Sequence, residues 1–116
     1  MTKEFIPYQE ALALKQLGFD EPCLGWFASD RTLVKEVTEK TDFTLAPTYS
    51  QAFRWFRENY NLFGQVNIRT YYIYEISNDG IAIEMVSQYD KLLNTYEEAE
   101  LECLKKLIDL IKQKQL

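Results

Sequence analysis

Arg54, Trp55, Phe56 and Arg57 stand side by side, and further along the chain Arg69 precedes Tyr71, Tyr72 and Tyr74. Aromatic rings interleaved with arginines suit single-stranded nucleic acid, because bases stack on the rings while guanidinium groups meet phosphate. A helical wheel of about 100° per residue separates the first group. Trp55 and Phe56 fall with Ala52 and Tyr60, with Phe53 at the margin, and Arg54, Arg57 and Glu58 fall opposite. That division is a core stripe plus a small cationic face. In an extended segment Tyr71 shares its side with Arg69, Ile73 and Glu75, whereas Tyr72 and Tyr74 alternate with Val66, Ile68 and Ile76. Cross-strand packing is the simpler use of these tyrosines, and Glu75 and Glu84 repel phosphate. A nucleic-acid site would therefore rest on Arg54, Arg57, Arg69 and Tyr71.

Catalytic chemistry finds little to build on. The chain has no histidine, which removes the usual general base and the Ser–His and Cys–His nucleophile pairs. Cys23 and Cys103 lie far apart in apolar runs without CxxC spacing, and are expected to be buried thiols rather than a disulfide or metal site. Glu75 and Glu84 are the one carboxylate pair with a defined relation, on a shared face of a hairpin. An acid/base pair also needs a cleft and a raised pKa on one member, which the sequence does not indicate. The turn acids lack calcium-loop spacing, and the four glycines are isolated rather than grouped into a phosphate loop. The expectation is a non-enzyme with no cofactor and no metal.

At 116 residues, 47% hydrophobic and 15% aromatic, the chain is expected to form one domain, 1–116, with its own core. A net charge of −5 disfavours nucleic acid and anionic membrane as partners and suits a protein partner carrying a basic patch. No apolar run reaches the length of a membrane span, and the first residues turn polar too soon for a signal peptide, so a cytoplasmic location is expected.

The elements that must position these residues are legible from their boundaries. Tyr8, Tyr49 and Tyr96 each begin a Tyr-x-x-Ala run, and Thr48 with Gln51 and Thr95 with Glu98 have capping-box spacing. Helices are expected over 8–17, with Gly18 as its left-handed end, over 48–61 and over 95–113. Strands are expected over 23–28, with a bulge or close approach at Gly25, over 32–38 extending or restarting at 43–45, over 66–76, and over 81–87 after a turn at 77–80. The order is αββαββα, an α+β fold with a four-stranded antiparallel sheet and helices mainly on one face. Its expected core includes Leu14, Leu17, Trp26, Trp55, Phe56, Ile68, Tyr72, Ile83, Leu104 and Ile108. The repeated helix starts suggest shared start chemistry more than an internal duplication.

Three runs, LKQLGFDEPC at 14–23, APTYSQAFRWFR at 46–57 and YEEAELECLKKLI at 96–108, resemble a loose group of small uncharacterised proteins from bacteriophage and mobile-element neighbourhoods of bacteria. The resemblance covers about a third of the chain and implies an intracellular accessory protein. It carries no activity and no catalytic residue.

In the third helix Ala99, Leu101, Cys103, Leu104, Leu107, Ile108, Leu110 and Ile111 spread over an arc of roughly 200°, where one sheet needs about 100°. A homodimer through Leu101, Leu104, Ile108 and Ile111 would cover the excess. The function these features favour is a protein-interaction module, with single-stranded nucleic-acid binding as the alternative.

Overall fold

The computed structural model describes residues 4–28, 30–34, 44–68, 72–78, 80–87 and 95–114. The fold is α+β, with two compact units, Met1–Gln51 and Ala52–Leu116. Among the described residues all strand pairing is antiparallel, but in place of the expected single four-stranded sheet they form two three-stranded sheets. The order becomes αβββαβββα.

In the first unit, helix α1 (Tyr8–Gln16) is followed by strands β1 (Gly25–Phe27), β2 (Leu33–Val34) and β3 (Thr44–Ala46). The Phe19 N–H donates to the Leu14 carbonyl at 2.9 Å and the Gly18 N–H to that of Lys15 at 3.1 Å. Gly18 supplies the φ of 105° this helix ending requires, where a side chain would clash with its own backbone. Strand β1 lies between β2 and β3. Gly25 is a close approach, since a Cβ there would lie 3.2 Å from both Leu33 Cδ1 and Phe5 Cε1. In the β1–β2 turn, Asp30 Oδ1 accepts from the Thr32 N–H at 3.0 Å and Arg31 takes a φ of 69°. The Arg31 guanidinium then sits 4.9 Å from the Tyr8 ring centre, and Tyr8 meets Phe27 edge-on at 5.6 Å.

Thr48 caps helix α2 (Tyr49–Tyr60) by accepting from the Gln51 N–H at 3.2 Å. The Gln51 side chain also reaches beyond the helix start, its amide donating to the Pro22 carbonyl at 2.8 Å. That bond ties the helix start to the strand-bearing segment. Thr95 likewise accepts from the Glu98 N–H at 3.1 Å, opening α3 (Tyr96–Lys114).

In the second unit α2 ends at Asn61, whose φ of 56° gives the left-handed stop, so β4 (Leu62–Ile68) begins at once. Strands β5 (Tyr72–Asn78) and β6 (Ile81–Ser87) complete a meander ordered β4-β5-β6. The expected single strand over 66–76 is thus two strands paired antiparallel, Val66 opposite Tyr74 and Ile68 opposite Tyr72. Residues 66–76 contain no glycine, proline or aspartate to announce a reversal, so strand-forming composition runs unbroken across it. The two sheets also differ in topology, with the first strand central in one and the middle strand central in the other. That disfavours duplication.

Helix α3 packs on β4 and β5. Leu62, Tyr74 and Ile76 are buried beneath it, as are Ala99, Cys103, Leu104, Leu107, Ile108 and Ile111 on the helix. Gly64 lies at the closest approach: a Cβ would stand 3.0 Å from both Cys103 Sγ and Leu107 Cδ1. Both neighbours are fully buried, and a valine adds two methyl groups beyond that Cβ, so Gly64→Val is expected to cost about 1–3 kcal/mol by overpacking. Urea denaturation checks this, and an unchanged midpoint would mean that α3 does not press on β4.

Leu14, Trp55, Phe56, Leu104 and Ile108 are core residues as expected. Leu17, Trp26 and Tyr72 are only half-buried, and Ile83 is 47% exposed. A register shift explains Ile83: Ser77 pairs with Ala82 and Ile76 with Glu84, leaving residue 83 unpaired on an edge strand. Residues 35–43, the side chain of Ile68 and residues 69–71 lie outside the described residues.

Candidate binding surface

On α2 the rings and the arginines part as the helical wheel separates them. Trp55 and Phe56 are 5% and 0% exposed, with Trp55 edge-on to Phe56 at 5.2 Å and to Tyr60 at 5.4 Å. Arg54 is exposed and Arg57 half-buried, so the cations stand on the surface while the rings fill the core. Arg69 and Tyr71 lie outside the described residues.

On α3, Leu104, Ile108 and Ile111 are at most 5% exposed within a single chain, and Leu101 and Leu110 are half-buried. The wide apolar arc is therefore already largely covered, and its width no longer calls for a second copy. The outward side carries Lys105–Glu102 and Lys106–Asp109 pairs at 3.5 and 3.8 Å, whose surface position makes each worth little. Glu97 and Glu98 in the first turn complement the helix dipole. Burial, then the charge of Glu97, holds the Glu100 carboxyl above its usual range.

Glu75 and Glu84 are not cross-strand partners. The register pairs Glu75 with Met85 and Glu84 with Ile76, positions of opposite parity, because the bulge shifts the ladder by one residue. Their expected shared face is thereby corrected. Among the described residues no group of His, Cys, Asp and Glu is placed to hold a metal, and no helix is long and apolar enough to cross a membrane.

The thiols are poorly suited to nucleophilic work. Cys23, half-buried rather than buried, donates to the Glu21 carbonyl at 3.3 Å. Burial, then the Glu21 charge, pushes its thiol up to about 11, and burial pushes Cys103 up to about 12. Iodoacetamide at pH 8 is expected to alkylate Cys23 on the order of a hundredfold more slowly than an unstructured cysteine, and Cys103 only on unfolding. Both folded values lie above the ordinary 9.0, so the thiols' contribution to stability is full below that pH and is lost as pH rises through 11 and 12. Alkylation rates equal to those of a free peptide would contradict the burial of both groups.

What remains is the face of β4 and β5 turned away from α3. Alternation from Leu62 onward places Phe63, Gln65 and Asn67 on it, and the register sets them opposite Ser77, Glu75 and Ile73. Phe63 is 43% exposed, and the Gln65 amide donates to Glu75 Oε1 at 2.6 Å across the strands. No cationic side chain is among these six. The face thus offers an aromatic ring, an aliphatic side chain and a carboxylate oriented by a neighbouring amide. Sequence reasoning placed Ile73 and Glu75 correctly on an open face but missed Phe63 and Gln65. The detectable signal was the period-two pattern beginning at Leu62, masked by the adjoining helix.

No protein-family model matches the chain, and no curated protein or solved structure matches it either.

Proposed function

We propose that this chain is a non-catalytic protein-interaction module and that the open face of β4 and β5 is its binding surface. The observation that carries the reading is Phe63, 43% exposed on a sheet face whose opposite side is sealed by α3. An aromatic ring with hydrogen-bonding groups around it is the mixture that interface cores and rims use. The absence of histidine and the raised thiol pKa values support a non-catalytic role. The likeness of residues 14–23, 46–57 and 96–108 to small phage and mobile-element proteins fits a cytoplasmic accessory acting on a cellular or phage protein.

Quantitative affinity capture from the source cell tests this with three baits: the native chain, Phe63→Asp, and Lys105→Asp on the outward side of α3. A partner retained by the native and Lys105→Asp baits and depleted at least tenfold by Phe63→Asp is the expected result. Equal capture by all three baits would overturn the assignment of the face.

A further inference from the structure

We infer that the open face of β4 and β5 takes an arginine-bearing peptide segment of its partner, with the guanidinium seated on Glu75. This rests on the reading of that face as a binding surface and adds the chemistry of its occupant. Glu75 lies in the middle position of the central strand, opposite Gln65 on β4 and Met85 on β6. Its Oε1 accepts the Gln65 amide at 2.6 Å, which uses one of the roughly four acceptor positions of an ionised carboxylate. The same contact holds the carboxylate in place before any ligand arrives, lowering the ordering cost of binding. Gln65 keeps its own amide oxygen as a second acceptor. A planar guanidinium can address both acceptors in a fork, which a lysine ammonium cannot do with the same directionality.

The neighbours suit the rest of such a segment. Phe63 precedes Gln65 by two residues on the same strand face, close enough for an arginine's methylene stem or an adjoining apolar residue to lie against its ring. Ile73 gives the other flank an aliphatic surface, and Asn67 and Ser77 add hydrogen-bonding groups at the margins. Glu75 is the one charged group among these six described side chains, and a net charge of −5 draws basic segments toward the chain. The same charge opposes a phosphorylated or nucleic-acid occupant and disfavours a second copy of this face, which would set Glu75 near its own counterpart.

The test uses a fluorescent ten-residue peptide alternating valine with arginine, its lysine and citrulline counterparts, and the full-length chain. Polarisation titrations at two salt concentrations give affinities, and amide chemical shifts locate the site. The arginine peptide is expected to bind most tightly, the lysine peptide several-fold more weakly and the uncharged citrulline peptide not measurably. Shifts should centre on Phe63, Gln65 and Glu75, and Glu75→Gln should weaken binding about tenfold while its melting temperature stays native. Equal binding of the citrulline peptide, insensitivity to Glu75→Gln, or shifts confined to the acidic first turn of α3 would each overturn the inference. Failure here is separable from failure of the surface assignment. If Phe63→Asp depletes the cellular partner and Glu75→Gln does not, the face stands and its basic occupant falls.

Discussion

Leu104→Glu is expected to abolish the cooperative thermal transition at neutral pH. Leu104 is fully buried on the covered side of α3, where Leu107 and Ile108 offer a carboxylate no hydrogen bond and the Cys103 thiol is only a weak donor. An unpaired buried charge costs several kcal/mol, and the lost leucine burial adds about 2 kcal/mol. Together these approach the about 5–15 kcal/mol that holds a domain of this size folded. The variant has a pH signature of its own. Burial raises the folded pKa of the new carboxyl above its unfolded value of about 4.3, so stability is regained as pH falls below the folded value and lost as pH rises through it. Circular dichroism melts between pH 4 and 8 follow this directly. Leu101→Glu is the companion: its half-buried position should leave the transition in place, lowered by about 1 kcal/mol. A Leu101→Glu protein that stays folded while its sedimenting mass halves would instead put a second copy on α3.

Trp55→Ala is expected to cost about 3–5 kcal/mol, seen as a lower urea midpoint with an unchanged slope. The indole is 5% exposed and meets the rings of Phe56 and Tyr60 edge-on at 5.2 and 5.4 Å. Removing it empties a volume that rigid aromatic neighbours cannot refill, and it forfeits both ring contacts. A loss below about 1 kcal/mol would place Trp55 at the surface and restore the aromatic–arginine reading of residues 54–57.

Local chemistry made the helices legible. Thr48 and Thr95 cap α2 and α3, and Gly18 ends α1, because each acts on backbone groups within three or four residues of itself. The division of α2 into a buried aromatic side and an arginine side followed from helical period alone. On the open face, Ile73 and Glu75 were placed by strand period in the same way. That reasoning is strong where one element buries one stripe.

The errors share a different origin. The reversal between Ile68 and Tyr72 has no turn residue to mark it, so only the pairing of Val66 with Tyr74 reveals two strands instead of one. The bulge at residue 83 is equally silent, yet it exposes an expected core isoleucine and separates Glu84 from Glu75. Gln51 matched a capping box by spacing, yet its amide N–H donates to a carbonyl 29 residues away, a contact that no local pattern announces. The arc of α3 looked too wide for one chain because its width is a property of the helix, whereas its coverage belongs to everything that packs around it. By itself the sequence determined where helices begin and end and which side of each is apolar, since those outcomes depend on neighbours along the chain. Tertiary structure alone decided strand pairing, the bulge and the meeting of Gln65 with Glu75, because each depends on which distant backbone arrives opposite.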